Sequence, residues 1–438
     1  MISPQRRQEI IDALRRGTVP KSSLDAFAVG LEHFESALDE ELQKVVNGGS
    51  VFKAVRGEYG CGKTFFARWL VDRAKKLGYA TSEVQVSETE TPLHRLETVY
   101  RRLNERLATA DTAQGALRNI VDGWFYTLEE DVLAEGAFDA NDEAKLVART
   151  NELLEQRLAK VTEAAPMFSA ALRGYRLAQS SGDQATADGV LAWLSGQPNV
   201  SANSKRFAGV KGDIDHFGAL GFLQGLLTVL RDSGHPGLLV VLDEVETIQR
   251  VRSDVRDKSL NALRQLIDEV DSGRFPGLYL LITGTPAFFD SHQGIGRLVP
   301  LAQRLHVDFT TDSKYDNPRA IQIRLPAFDL DRLCLVGTRV RDIYQLHTKS
   351  SSRIAERCDD QYVRILAEAV TGTLGGKVGV APRIFLKKLV ADVLDRVDLH
   401  ESFNPRVDYQ LTIGDVELTT TERHAMAGTT VDEIELEL

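Results

Sequence analysis

The chain has 438 residues, 43% hydrophobic and 26% charged, the balance of a water-soluble protein of roughly two or three domains. No apolar run approaches the roughly 20 residues of a membrane span, and the first residues lack a signal peptide's apolar core, so we expect a cytoplasmic protein with no membrane partner. The net charge of −10 excludes a surface uniformly adapted to nucleic acid, and three irregularly spaced cysteines favour neither disulfides nor a zinc site.

The first 50 residues predict a helical segment ahead of the first strand. Amphipathic helices are expected over 8–16 and 32–46, with a break at 17–20 between them. Such a segment would wall in a nucleotide base, with Val19 and Pro20 as contacts. Plain helix packing is the alternative, and the sequence leaves both open.

A complete phosphate-binding loop, G-x-x-x-x-G-K-[ST], follows the apolar run 51–55 and precedes a helical pattern. Its backbone N–H groups and the dipole of the following helix favour phosphate oxygens. Lys63 would reach the β- and γ-phosphates, and the Thr64 hydroxyl would bind Mg²⁺. The expected cofactor-binding residues of this segment are Gly57, Glu58, Tyr59, Gly60, Cys61, Gly62, Lys63, Thr64 and Phe65.

A long stretch, about 110–215, separates this loop from the next motif, and a minimal nucleotide core does not need it. The pattern predicts a mainly helical insertion, which either pads the core or binds a partner. The apolar strand 238–242 then ends in Asp243 and Glu244, the Walker B pattern. Asp243 would hold Mg²⁺, and Glu244 would orient and deprotonate the attacking water. The role of Glu246 stays open.

A further apolar strand, 278–282, leads to Thr283 and Thr285. We expect Thr283 to contact the γ-phosphate or the attacking water, with Thr285 as the other candidate. Arg304, or else Arg297, occupies the place from which ring-shaped ATPases project an arginine into a neighbouring site. Pro382 suits the first turn of a helix, so Arg383 would face the nucleotide from a lid.

These elements predict an α/β three-layer fold with a parallel sheet in the core, 51–330, that carries the insertion. A helical lid over 331–398 and a short tail over 399–438 with an acidic end would follow. In this order the motifs resemble those of the AAA+ ATPases, in the branch related to origin-recognition and clamp-loader proteins. More narrowly, the chain resembles the BrxD family of BREX phage-defence ATP-binding proteins, on the segments 13–20, 27–30, 57–64 and 242–247.

The resemblance implies a cytoplasmic protein that works beside helicase-like and methyltransferase defence proteins and acts on double-stranded DNA or loads partners onto it. The motifs predict ATP hydrolysis with Mg²⁺ in a homo-oligomer, with the catalytic set Lys63, Asp243, Glu244, Thr283, Arg304 and Arg383. Two alternatives remain: an ATP-dependent assembly switch with little hydrolysis, and a STAND-type signalling ATPase. The latter class usually carries a repeat-containing sensor domain, and no internal repeat is found in the sequence.

Overall fold

A five-stranded, all-parallel sheet forms the centre of the computed structural model, which describes residues 2–135, 143–374, 382–418 and 423. The strands are β1 (Val51–Arg56), β2 (Ala80–Gln85), β3 (Leu238–Asp243), β4 (Leu278–Gly284) and β5 (Gln322–Arg324), in the spatial order β2-β3-β4-β1-β5. Parallel sheets are covered on both faces, which explains why β3 and β4 read as continuous apolar runs. The predicted α/β fold with a parallel sheet is confirmed.

The strand register fixes where the site forms. Arg56 pairs with Gly284, and Leu242 pairs with Ile282. Because all strands run the same way, the loop after β1, the end of β3 and the end of β4 meet at one edge of the sheet. Ligands of open parallel sheets bind beyond this carboxyl edge.

Helices cover both faces and make three layers. The α-helices are Pro4–Arg15, Glu32–Val46, Lys63–Lys76, Leu96–Arg106, Leu117–Ala134, Glu143–Ala164, Pro166–Ser180, Gln184–Leu194, Ala202–Phe207, His216–Asp232, Ser253–Asp271, Pro286–Asp290, Val299–Leu305, Leu330–Gln345, Ser351–Arg357, Asp360–Thr373, Pro382–Lys387, Asp395–Leu399 and Pro405–Asp408, with a π-helical stretch over Lys388–Leu394. One apolar cluster joins the first helices, the phosphate-loop helix and the C-terminal helices to one sheet face. The other holds the helices of the insertion region and the His216–Asp232 helix against the opposite face.

The insertion region is helical where the structure describes it, and it packs on the core. Phe222, on the helix that leads into β3, meets the rings of Phe168 at 5.3 Å and Trp193 at 5.4 Å between centroids. Glycine at 225 is required by this packing, because an added Cβ would lie 2.6 Å from the Phe168 ring. These contacts show that the helices of the insertion region extend the core. Binding of a partner by this region stays a prediction.

The C-terminal region returns to the first helix of the chain. Arg15 Nε donates to Asp395 Oδ2 at 2.6 Å, so the opening helix and the helices after residue 382 form one packed wall beside the phosphate loop. The predicted acidic end of the tail lies outside the described residues. Within the described ranges, no helix combines the length and apolarity that crossing a membrane requires.

Candidate functional site

The loop after β1 has the backbone that its glycines predict. Gly60 and Gly62 take φ values of 82° and 95°, the left-handed region in which a side chain is strained. Gly57 is constrained differently, because an added Cβ would lie 2.4 Å from the Cys61 sulfur. The helix Lys63–Lys76 starts directly after Gly62, so its first N–H groups belong to the loop.

Lys63 is buried and already has partners. Its Nζ donates to the backbone carbonyls of Gly57 at 2.8 Å and Glu58 at 3.2 Å. The Tyr59 ring lies over the same ammonium, 5.0 Å from its centroid. The Lys63 side chain therefore lies back along its own loop.

A chain of hydrogen bonds joins the three strand ends. Thr64 Oγ1 donates to Asp243 Oδ2 at 3.0 Å, and Thr283 Oγ1 donates to Asp243 Oδ1. The Thr283 hydroxyl in turn accepts the backbone N–H of Glu244 at 3.2 Å. Thr285 is placed elsewhere: its hydroxyl caps the helix Pro286–Asp290. Thr283 is thus the threonine that the fold brings to the acidic pair.

Glu244 stands at a strained backbone position. Its φ is 61°, which costs a residue with a side chain on the order of 1 kcal/mol and is found mostly where function requires it. Gln85 Nε2, at the end of β2, donates to Glu244 Oε2 at 2.8 Å. Gln85 was not predicted as a site residue. Its position at the end of a strand was a signal, but that signal needs the pairing of β2 with β3.

Glu246 is the most unusual charged group of the site. It is only 4% exposed, and within the described part of the chain neither carboxylate oxygen accepts a hydrogen bond from another residue. Its nearest opposite charge is Lys63 Nζ at 4.0 Å. Burial raises the pKa of the Glu246 carboxyl to about 7, and the Lys63 charge opposes that rise.

This raised pKa predicts a stability that falls with pH. The folded state binds the Glu246 proton up to about pH 7, whereas an unfolded carboxyl releases it near 4.5. Between these values the folded state holds more protons, so the free energy of unfolding decreases as pH rises, by about 3 kcal/mol in total. Denaturant unfolding should show this loss for the wild type and not for Glu246→Gln. Glu58→Gln, an exposed carboxylate of the same loop, should follow the wild type; parallel curves for all three would contradict the assignment.

A cavity of about 330 Å³ extends from the phosphate loop between the opening segment and the C-terminal helices. Val19 and Pro20, the two predicted base contacts, line this cavity, and their contact with a base stays a prediction. Arg68 Nη1 donates a hydrogen bond to the Val19 carbonyl at 2.7 Å. The apolar part of its wall suits a flat ring: Phe27, Val29, Phe65, Phe328, Val336 and Leu386. The cavity therefore has an apolar end that suits a nucleotide base and an end near Lys63 and Asp243 that suits phosphates.

Two arginines reach the cavity from the C-terminal helices. Arg383 lines it, and its Nη2 donates to the Glu417 carbonyl at 2.5 Å. Arg332 also lines it, above Gly30, where an added Cβ would lie 3.5 Å from the arginine Nε. Arg332 was not predicted as a site residue, because nothing in the local sequence distinguishes it from the other arginines of its helix.

Arg304 and Arg297 are not among the described residues that line the cavity. Arg304 pairs with Asp268 and lies 3.8 Å from Asp271. Arg297 pairs with Asp257 and donates to Ser253 Oγ at 2.6 Å. Action of either arginine in a neighbouring subunit stays a prediction.

The oxygen donors beside the loop fit a magnesium ion. Thr64 and Asp243 present a hydroxyl and a carboxylate to each other, the ligand types that Mg²⁺ prefers. In the described ranges, no group of three or more His, Cys, Asp or Glu residues could hold a metal ion. A site with few protein ligands is normal for Mg²⁺, which keeps waters and takes phosphate oxygens.

Comparison with known families identifies a family for this chain. The model of the family described as BREX system ATP-binding protein BrxC/D matches residues 2–413. No curated protein gives a significant match. The match spans the opening segment, the sheet, the insertion region and most of the C-terminal helices.

Proposed function

The chain belongs to the BrxC/D family of BREX system ATP-binding proteins, and from this premise we propose that it hydrolyses ATP at a subunit interface. Membership makes it an ATP-binding protein of a BREX phage-defence system, as the resemblance predicted. The observation that supports hydrolysis is the hydrogen-bonded line from Thr64 through Asp243 and Thr283 to the backbone of Glu244. Binding alone would not need a carboxylate held at a strained position beside it.

Each residue has a role that follows from its position. The loop N–H groups and Lys63 bind the phosphates. Thr283, whose fully buried hydroxyl contacts Asp243 and the Glu244 backbone, positions the two acids. Glu244 accepts the proton of the attacking water as this water attacks the γ-phosphorus. Mg²⁺, held by Thr64 and Asp243, would neutralise charge on the phosphates. Arg383 contacts the nucleotide from the lid. Fixed charges of this kind act without reorganisation as the transition state develops.

A second candidate function rests on the contact between Gln85 and Glu244. A carboxylate held by an amide is withdrawn from the water that it would activate, which suits an assembly switch that binds ATP and hydrolyses it slowly. In both functions the partners that we propose are other subunits of this chain, helicase-like and methyltransferase BREX proteins, and double-stranded DNA. With a net charge of −10, any DNA contact must use a local basic surface.

Mixing subunits tests the proposed interface. We expect Arg304→Ala and Glu244→Gln each to be inactive alone and to regain turnover when mixed, because one subunit supplies the arginine and the other the carboxylate. Random mixing at equal amounts would restore roughly a quarter of the sites. ADP release measured across mixing ratios provides the readout.

The control experiment mutates Arg252 in place of Arg304. The Arg252 side chain is 84% exposed. Arg252→Ala should be active alone and should gain nothing beyond dilution when mixed with Glu244→Gln. Lack of recovery at every ratio with Arg304→Ala would show that this arginine does not act in a neighbouring site. Recovery with Arg297→Ala in its place would transfer the role to Arg297.

A further inference from the structure

The ammonium of Lys63 has neutral partners and a charged one in this structure. The neutral partners are the carbonyls of Gly57 and Glu58 and the Tyr59 ring, and the charged one is the Glu246 carboxylate at 4.0 Å. Both charged side chains are more than nine-tenths buried and both line the nucleotide cavity. Their interaction is therefore little screened by solvent.

The described residues around Glu246 donate no hydrogen bond to its buried carboxylate oxygens. A buried carboxylate whose oxygens accept no hydrogen bond from another residue costs free energy, and an apolar or amide side chain of the same size would avoid that cost. Packing alone thus does not explain an acid here. The Glu246 carboxylate instead faces the ammonium of Lys63, at 4.0 Å.

We propose that Glu246 is a positioning residue, an internal counter-anion that holds Lys63 when the phosphates are absent and that the nucleotide's phosphates must displace. The proposal rests on the proposed use of Lys63 to bind phosphates, and it does not depend on hydrolysis. Phosphate and Glu246 then compete for one ammonium. The carboxylate weakens the binding of any phosphate chain and speeds its release, whether or not a base is attached.

Coulomb's law gives the expected size of the change in phosphate affinity. At about 4 Å and an effective dielectric constant near 20, the Glu246 charge strongly lowers the electrostatic potential at the Lys63 ammonium. Counter-ions and loop movement reduce its net effect on phosphate binding. We expect neutral replacements of Glu246 to bind phosphate chains about tenfold more tightly. The effect should be the same for ADP and pyrophosphate, since the base lies against the apolar wall.

Calorimetric titration of the whole chain with ADP and with pyrophosphate, at pH 8 and without Mg²⁺, tests the proposal. Glu246→Gln and Glu246→Met should each tighten both ligands about tenfold. Glu246→Asp keeps the charge and should stay within about twofold of the wild type. Glu88→Gln, which removes an exposed carboxylate from the loop after β2, is the matched control and should change little.

Unchanged or weaker binding in both neutral variants would overturn the proposal, and so would tightening for ADP alone. Equal tightening by Glu88→Gln would also overturn it, because net charge would then explain the result. Thermal unfolding without ligand shows that each variant is folded. A wild type that binds ADP but never turns over ATP would contradict the proposed hydrolysis and leave this inference standing.

Discussion

Glu244→Gln is expected to lower ATP turnover by about 10²–10³-fold, because the amide cannot accept the proton of the attacking water. The change removes a charge without changing the shape of the side chain, so the strained backbone and the bond from Glu244 N to Thr283 remain. ATP affinity should stay within a few-fold of the wild-type value. Single-turnover release of phosphate measures the chemical step directly.

Two further variants sharpen this result. Glu88→Gln removes an exposed carboxylate from the loop after β2 and should keep wild-type turnover. Gln85→Ala releases Glu244 from its amide partner and should retain or raise turnover. If the wild type turned over no faster than Glu244→Gln, with or without DNA, hydrolysis would be wrong and the assembly switch would be supported.

The motif residues were predictable because their chemistry is local. Gly57 to Thr64 contains its own turn, its own anion pocket and the start of its own helix. Asp243 and Glu244 end an apolar strand, which places them at the carboxyl edge of a parallel sheet wherever that strand lies. Sequence spacing was therefore enough to expect these residues in one place.

Other parts of the site depend on contacts between distant segments. The contact of Gln85 with Glu244 needs the pairing of β2 with β3, which no local pattern determines. The burial of Glu246 beside Lys63 depends on how the turn after β3 packs under the phosphate loop.

The contacts of the arginines could likewise not be predicted from the sequence. Arg383 was expected from Pro382, but its bond to the Glu417 carbonyl joins segments 34 residues apart. The pairing of Arg304 with Asp268 likewise needs two helices to be packed side by side. Periodicity defines each helix and its apolar face, and it does not define which helices meet.

Lys63→Ala is expected to weaken ATP and ADP binding by about 10²–10³-fold, since it removes charge-assisted hydrogen bonds made by a buried ammonium. Calorimetric titration and the loss of thermal stabilisation by added nucleotide would measure this. Lys44→Ala, an exposed lysine on the helix Glu32–Val46, is the matched control and should bind as the wild type does. Unaltered affinity in Lys63→Ala would place the phosphates elsewhere in the molecule.

The same variant should not unfold the protein, and Glu246 supplies the reason. Without the lysine charge, the pKa of the Glu246 carboxyl rises further, because Lys63 is the group that lowers it against burial. The carboxyl then stays protonated at neutral pH, and no isolated charge is left in the interior. Loss of binding with retained folding would separate the role of Lys63 in holding phosphate from any role in holding the loop.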